Sequence, residues 1–333
     1  MSYQLSMLDK CPLEEQSSPK IALLNAVEAA KAAESAGFSR FWVAEHHNSN
    51  QYASSAPEIL VSYLLAKTNN IRIGTGGVML QHYSPYKIAE IFNMLASLEP
   101  ERVDLGIGKA PGGLPASTKA LQIELSDENR LSFTQKAELL NQLLTGEVAT
   151  NGLFEGIAAT PKPIKKAQGF LLGASAESAE FAAQLGWQMS YAGHLNGSEQ
   201  QLQNTLKTYR QETNGKTPQV ALTAIITPDE EEAKIRAKDI AIYKIYFSED
   251  KVYNLPTLEA AEEFAKQSGR TDYTIEKQLM QVLAGTPKSV SDHLFKLHQQ
   301  YNIPEFMLEF PNTTLNERLY AIDTLAYYQK RLT

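Results

Sequence analysis

Short apolar runs alternate with longer amphipathic segments along most of the chain. The short runs fit β-strands, and the longer segments repeat their apolar positions with the period of an α-helix. The predicted strands cover residues 3–8, 39–43, 71–75, 102–107, 169–173, 187–191, 219–226 and 305–310. The predicted helices cover residues 20–36, 57–68, 85–98, 127–144, 176–185, 198–212, 229–245, 287–300 and 315–330. Pro57, Pro85 and Pro287 stand in predicted first helical turns and Gly37 follows the first helix, which is typical of helix boundaries.

This order predicts a parallel sheet, because parallel strands must be joined by crossovers that are usually helical. About eight strand–helix units in 333 residues favour a closed (β/α)₈ TIM barrel over an open, doubly wound α/β sheet. No linker rich in Pro, Gly or Ser divides the chain, so residues 1–333 are expected to form one domain. We expect a small insertion near 146–163, where LFEG fits a hairpin, and a mobile segment of loop and helix near 246–286.

The composition narrows the class of protein. There are 31 basic and 38 acidic side chains, a net charge of −7, and no long Lys/Arg run, so a nucleic-acid partner is not expected. The one cysteine, Cys11, cannot form an internal disulfide and favours a reducing compartment. No apolar run approaches the length of a membrane span and no secretory signal is evident. We therefore expect a cytoplasmic protein that acts on small molecules, with no membrane partner.

Polar and glycine residues gather directly after the predicted strands. In a barrel of this kind the loops at the carboxyl ends of the strands carry the chemistry, so this clustering predicts an enzyme. The residues concerned are Glu45, His46, His47, Gly76, Gly77, Gly106, Gly108, Lys109, Pro111, Gly112, Gly113, Ser175, Ser178, His194 and Asn196.

The run AEHH at 44–47 follows an apolar strand. If it stays extended, neighbouring side chains point to opposite faces, so His46 and His47 would not both reach one metal ion. We expect one histidine in the barrel mouth and the other bonded to a nearby carboxylate or carbonyl. A histidine beside a carboxylate also makes a sound general base. His46 is the candidate catalytic residue, and the role of His47 stays open.

The other candidates point to a phosphorylated ligand, each with a structural alternative. Gly76 and Gly77 let a ligand approach the backbone or form a bulge at the barrel rim. The run LGIGKAPGG at 105–113 misses both the dinucleotide and the phosphate-loop spacing, but Lys109 can place a charge on phosphate or remain a solvated loop lysine. Ser175 precedes a predicted helix, so it can cap the helix, bind phosphate, or do both. Glu177 nearby argues mildly against phosphate.

Six blocks in order resemble one family, the luciferase-like flavin-dependent monooxygenases, and in particular its single-chain luciferase-family oxidoreductases. The blocks are LSMLDKCP at 5–12, FWVAEHHN at 41–48 with SSAPEIL at 54–60, IRIGTGGVML at 71–80, RVDLGIGKAPGG at 102–113, LLGASAESAEFAAQLG at 171–186 and LAGTPKSVSDHL at 283–294. Together they cover nearly the whole chain.

The resemblance implies a (β/α)₈ barrel that binds reduced FMN, reacts with O₂ and oxygenates a small organic substrate. It assigns His46 the role of base. It assigns cofactor binding to Gly76 and Gly77, where the family often has a cis peptide against the flavin, and to Val78, which follows them. Lys109 stands where the family usually has an arginine for the FMN phosphate, and Ser175 and Ser178 match its phosphate-binding hydroxyls. Ala174 stands where the light-emitting members have an acid, and light emission is not predicted.

The resemblance also implies partners. A separate NAD(P)H:flavin reductase would supply the reduced FMN, and helices in the early half of the barrel would form a homodimer. The segment 246–286 occupies the place of the mobile loop that covers the flavin. Three alternatives stay open: a deazaflavin-dependent hydride-transfer enzyme, a flavin-binding protein without catalysis, and a metal-dependent barrel enzyme.

Overall fold

The computed structural model describes residues 3–14, 17–125, 130–148, 155–193, 198–248 and 251–332. The strands are β1 (Gln4–Asp9), β2 (Arg40–Val43), β3 (Arg72–Met79), β4 (Val103–Gly108), β5 (Gln168–Gly173), β6 (Gln188–Ala192), β7 (Gln219–Ile226), β8 (Ala241–Phe247), β9 (Lys251–Leu255), β10 (Tyr273–Leu279), β11 (Val282–Gly285) and β12 (Glu305–Glu309). The α-helices are α1 (Pro19–Ala36), α2 (Pro57–Leu65), α3 (Pro85–Leu98), α4 (Pro115–Leu121), α5 (Phe133–Thr145), α6 (Ala176–Gln184), α7 (Glu199–Glu212), α8 (Glu230–Ala237), α9 (Leu258–Ser268), α10 (Pro287–Tyr301) and α11 (Leu315–Gln329). A single 3₁₀ turn, Leu80–His82, follows β3.

Eight parallel strands close into a barrel with helices between them, which confirms the predicted (β/α)₈ fold. Each of β1 to β6 pairs with the next strand, and β12 closes the circle by pairing with both β7 and β1. The short strand β11 adds to the carboxyl end of β7, where Gly285 lies beside Ile226. The carboxyl ends of all these strands therefore lie at one end of the barrel, the barrel mouth.

The inward side chains of the barrel form layers, because alternate residues of a strand point to the same side. Nearest the amino ends lies an ionic layer, in which Arg40 donates to Asp104 and to Glu305 and is itself buried. Above it lies an apolar layer of Leu8, Trp42, Ala44, Phe170, Ala221 and Met307. The outward residues pack against the helices in the main hydrophobic core. The interior is thus filled below the mouth and cannot serve as an open channel.

Local sequence signals fix where several helices begin. Ser132 and Thr314 form capping boxes at α5 and α11, and Ser18 and Ser198 accept from backbone N–H groups at α1 and α7. Helix α1 ends at Gly37, whose φ of 91° is left-handed.

Within the described residues, no helix is both long enough and apolar enough to span a membrane.

The structure corrects the sequence prediction between residues 229 and 286. Helix α8 ends at Ala237, so the predicted helix 229–245 was wrong from that point, and Ala241 starts a strand instead. The run AIYKIYF is rich in branched and aromatic residues, which favours a strand over a helix. Strands β8, β9 and β10 form an antiparallel sheet that packs on α9. The mixture of loop and helix predicted for 246–286 was right in placing a helix there, since α9 lies at Leu258–Ser268. It missed strands β9, β10 and β11, which occupy much of the rest.

Two further differences lie in the middle of the chain. Helix α4 was not predicted, and the helix predicted for 127–144 begins only at Phe133, after the capping residue Ser132. Strand β3 also runs on to Met79, beyond the predicted end at 75. The first two residues of the predicted hairpin LFEG at 153–156 lie outside the described residues.

Candidate active site

His46 lies half-buried at the barrel mouth, just beyond the end of β2. Its ring lies 4.4 Å from the ring of Tyr52, centroid to centroid, and its Nδ1 is buried without a hydrogen-bond partner among the described residues. Burial, helped by the Lys10 ammonium, lowers the pKa of His46 to about 3. The ring is therefore neutral at ordinary pH, and its Nδ1 is available for a hydrogen bond with a bound molecule.

An ion pair between a half-buried lysine and a buried glutamate lies next to His46. Lys10 follows β1 and Glu309 ends β12, and Lys10 Nζ lies 2.5 Å from Glu309 Oε1. Burial alone would lower the pKa of Lys10, but Glu309 and Tyr52 together outweigh burial, and the pKa is raised. Thr223 lies opposite Glu309 in the register of β7 with β12, and its hydroxyl is buried without a hydrogen-bond partner in the described part of the chain. Lys10, Glu309 and Thr223 thus form a polar wall of the mouth, in which an ion pair lies beside a hydroxyl that can still form a hydrogen bond.

Glu45 and His47 face away from the lumen into a second polar cluster. His47 Nε2 lies 2.6 Å from Glu45 Oε1, and because a carboxylate only accepts, Nε2 carries the proton. The same carboxylate accepts from the Tyr83 hydroxyl at 2.8 Å and from the backbone N–H of Met79 at 3.0 Å. Burial and the charge of Glu45 raise the pKa of Tyr83. The expectation of one histidine in the mouth and one bonded to a carboxylate is confirmed.

The glycine pair of β3 is shaped by its neighbours. The bond between Gly76 and Gly77 is cis, as the resemblance implies. A Cβ on Gly76 would lie 2.7 Å from Leu8 Cδ1, and one on Gly77 would lie 2.7 Å from the carbonyl oxygen of Gly106. Gly76 therefore faces the apolar floor of the mouth. The side chain of Val78 is buried in the core between strands and helices, so only its backbone is open to a ligand.

Lys109, Ser175 and Ser178 follow two neighbouring strands. Ile107 of β4 pairs with Leu171 of β5, so the loops carrying the lysine and the serines leave the barrel side by side. Ser175 caps α6, because its Oγ accepts from the backbone N–H of Ser178 at 3.2 Å, and the two hydroxyls also lie 3.2 Å apart. Lys109 is exposed and makes no ion pair with the described residues. Glu177 Oε2 lies 3.4 Å from Ser175 Oγ, so the predicted nearby negative charge is present.

Comparison with known proteins identifies the family. The model of luciferase-like monooxygenases matches residues 6–301. The chain belongs to the luciferase-like monooxygenase family. It is 37% identical over 317 residues to N-acetyl-S-alkylcysteine monooxygenase of Bacillus subtilis (strain 168), with 92% of each chain covered.

Solved structures agree with this family. The chain is similar to the crystal structure of apo-MsnO8, with 28% identity, a TM-score of 0.76 and 99% of each chain covered. It shares the fold of the oxygenating constituent of 3,6-diketocamphane monooxygenase from Pseudomonas putida, solved in complex with FMN, with 14% identity, a TM-score of 0.71 and 99% and 98% coverage.

Sequence reasoning about this luciferase-like monooxygenase missed several residues of the site. Lys10 and Glu309 continue the inward alternation of their strands, so the period of the strands was a usable signal for both. Tyr83 and His82 had no such signal, because they lie in the 3₁₀ turn and the link to α3. His194 and Asn196 lie outside the described residues. Within those residues, no three His, Cys, Asp or Glu side chains are grouped to hold a metal ion.

Proposed function

We propose that this protein is a two-component monooxygenase that takes reduced FMN from a separate NAD(P)H:flavin reductase and uses O₂ to oxygenate a small organic substrate. The observation that carries the proposal is the arrangement at the barrel mouth. On one side lie a capped helix start with two serines and, on the neighbouring strand, a lysine. On another lies a half-buried neutral histidine whose Nδ1 has no hydrogen-bond partner among the described residues. The glycine pair stands on β3 between them.

The residues present fit reduced FMN. The phosphate would be held by the free N–H groups at the start of α6, by Ser175 and Ser178, and by the charge of Lys109. The flat ring system would lie along the backbone of Gly76 and Gly77. A small cavity lined by Leu8, Trp42, Gly76, Leu172, Ser190, Ala192, Ala221 and Met307 lies beneath that position.

Reduced FMN, when bound, supplies the two electrons with which one atom of O₂ enters the substrate and the other leaves as water. The chain's own residues orient the bound molecules, exclude water from the site and hold protons. Neutral His46 would act at Nδ1 as a hydrogen-bond partner and as a weak base, because a pKa of about 3 lets the ring hold a proton only briefly. The apolar layer below the mouth keeps water out of that part of the site. The Lys10–Glu309 pair supplies a fixed polar edge against which a substrate can be oriented.

For the substrate we propose a small thioether of the N-acetyl-S-alkylcysteine class. The support is the 37% identity over 92% of both chains to the Bacillus subtilis enzyme that carries this substrate in its name. The polar wall at the mouth also offers partners for an amide or a carboxylate, whereas Leu8, Trp42 and Met307 suit an alkylthio group.

The test has a binding stage and a turnover stage. In anaerobic titrations we expect reduced FMN to bind at least tenfold more tightly than a reduced deazaflavin cofactor. With a flavin reductase, NADH and labelled dioxygen, we expect one labelled oxygen atom in the product of an N-acetyl-S-alkylcysteine, and a His46→Gln variant to bind flavin but turn over far more slowly. Preference for the deazaflavin, or tight binding of oxidised flavin without turnover of any thioether, would reject the proposal in favour of the corresponding alternative.

We also propose a cytoplasmic homodimer formed through α2 and α3. Ile59 and Tyr63 of α2 are 69% and 46% exposed, and Met94 and Leu98 of α3 are 55% and 68% exposed. Each pair is four residues apart on its helix, so the pairs form adjacent apolar stripes on packed helices. Sedimentation of wild type and of Leu98→Lys tests this: the wild type should sediment as a dimer and the variant as a monomer.

A further inference from the structure

We infer that His47 and His82 are positioning residues for the cofactor phosphate, because they hold the backbone of the loop that carries Lys109. The inference rests on the proposed function, in which Lys109 binds the phosphate of FMN. The loop, residues 109–114, runs from the end of β4 to the start of α4. Lys109 makes no ion pair with the described residues, so its place depends on how the loop backbone is held.

His82 holds the loop through its side chain. Its Nε2 lies 2.8 Å from the carbonyl oxygen of Pro111 and its Nδ1 lies 2.9 Å from Gln122 Nε2. A carbonyl only accepts and an amide nitrogen only donates, so the ring is neutral with its proton on Nε2. Burial lowers the pKa of His82, which favours this neutral form. The ring therefore connects α4 to the loop that precedes it.

His47 holds the next residue of the loop through its backbone. Its N–H donates to the carbonyl oxygen of Gly112 at 2.7 Å, while its side chain is fixed by the bond to Glu45. Gly112 has a φ of +64°, and a Cβ there would lie 3.0 Å from Met79 Cγ and 3.4 Å from His47 Cδ2. A left-handed glycine packed this closely leaves the loop little room to move.

The support behind the two histidines is itself well anchored. Glu45 bonds to Met79 N and to the Tyr83 hydroxyl, at the two ends of the 3₁₀ turn that carries His82. Lys136 of α5, largely buried, donates to the carbonyl oxygens of Gln81 and Tyr83 at 2.9 and 3.0 Å. Burial lowers the pKa of Lys136. These hydrogen bonds hold the 3₁₀ turn in place. A turn held in this way can fix the position of the neighbouring loop.

The test compares reduced FMN with reduced riboflavin, which lacks the phosphate, in anaerobic titrations of the purified protein. The dissociation constant of riboflavin divided by that of FMN measures how much the phosphate contributes to binding. We expect a large ratio for wild type and a fall of about tenfold or more for Lys109→Gln. For His82→Phe we expect the ratio to fall about fivefold while riboflavin affinity changes less than twofold, and we expect His82→Gln, which keeps a donor, to recover most of the ratio.

The matched control is His298→Phe. His298 Nδ1 lies 2.8 Å from the carbonyl oxygen of Ile303 near the amino end of β12, far along the strands from the mouth. This variant loses the same kind of bond and should leave the ratio unchanged. If His82→Phe does not fold, Gln122→Leu, which removes the bond to His82 Nδ1, should lower the ratio in the same direction.

An unchanged ratio in His82→Phe and Gln122→Leu, with thermal stability lowered as in His298→Phe, overturns the inference and leaves His82 a structural residue. An unchanged ratio in Lys109→Gln overturns it too, since the loop then carries no phosphate ligand. A wild-type protein that does not distinguish FMN from riboflavin overturns the proposed phosphate site itself, and that result appears before any variant is made.

Discussion

Glu45 and His47 are joined side chain to side chain at 2.6 Å, while His46, the residue between them, faces the barrel mouth and lies against Tyr52. The segment thus serves two sides of the barrel wall. On one side a neutral, half-buried imidazole faces the mouth. On the other, Glu45 fixes the His47 side chain, and the backbone N–H of His47 donates to Gly112 in the loop that carries Lys109. Because alternation places these side chains on opposite faces, a change to one face can be tested without removing a group from the other.

The low pKa of His46 makes the stability of the fold depend on pH. The pKa is about 3 in the folded protein, against an ordinary value of 6.5, because burial disfavours the charged ring. Between these two values the unfolded chain binds the extra proton, so the free energy of unfolding falls as the pH is lowered. We expect the difference in unfolding free energy between wild type and His46→Gln to shift by roughly 2 kcal/mol against wild type from about pH 7 to about pH 4.5.

Chemical denaturation of both proteins at the two pH values measures this shift, and NMR of labelled histidine gives an independent check. The His46 resonance should not titrate between about pH 5 and pH 8. His82 and His293 also have lowered pKa values but are retained in both proteins, so they cancel in the comparison. A His46 midpoint near the ordinary histidine value would contradict the prediction.

Apolar positions that repeat every two residues in strands and every 3.6 residues in helices allowed much of the fold and part of the site to be predicted. Proline starts of α2, α3 and α10 and the alternation of AEHH are local signals that tertiary contacts did not override. The Lys10–Glu309 pair joins residues at opposite ends of the chain. Closure of the barrel decides which groups that are distant in the sequence come together. The order of the strands is the part of the sequence pattern that indicates this closure.

In the segment from α8 to β8, by contrast, the local sequence signal was overridden by tertiary contacts. EEEAKIRAKDIAIYKIYF begins with strong helix formers, and its helical start was predicted correctly. The change to a strand is set by pairing with β9 and β10, which lie further along the chain and satisfy the backbone of β8. A propensity summed over the whole segment favours one helix, because it does not include that pairing.

Alanine at Gly77 should destabilise the protein more than alanine at Gly76. A Cβ on Gly77 meets the backbone of Gly106, which cannot move without shifting β4. A Cβ on Gly76 meets the end of the Leu8 side chain, which can rotate away. We expect a loss of about 2–3 kcal/mol or more for Gly77→Ala and about 1 kcal/mol for Gly76→Ala, measured by urea unfolding. Equal losses would mean that β4 yields as easily as a leucine side chain.

Ser175 should combine a structural and a ligand-binding role, and variants can separate them. Ser175→Ala should lose about 1 kcal/mol of unfolding free energy, because Ser175 caps α6, and should also weaken FMN binding. Ser198→Ala, which removes the comparable cap of α7, should lose similar stability without affecting FMN binding. Ser178→Ala should weaken FMN binding with a stability change within about 0.5 kcal/mol. Equal FMN affinity in Ser175→Ala and Ser198→Ala would leave Ser175 only a cap.

Arg40 should be essential for stability and not for cofactor binding. It donates to Glu305 at 3.0 and 3.1 Å and to Asp104 at 2.8 Å, in the ionic layer at the amino ends of the strands. Arg40→Met leaves Glu305 buried without its cation, which should cost about 3–5 kcal/mol of unfolding free energy. Arg72→Met should cost less, because Arg72 is partly exposed and Arg40 continues to neutralise Asp104.

Arg40→Lys provides the control for charge. Lysine restores one positive charge but cannot bond to Glu305 and Asp104 at once with a planar fork, so we expect an intermediate loss. Chemical denaturation measures the three variants, and titration with reduced FMN measures binding in each folded protein. Because the apolar layer separates Arg40 from the mouth, FMN affinity should stay within about twofold of wild type. A large loss of FMN affinity in folded Arg40→Met would show that the ionic layer and the mouth are coupled through that apolar layer.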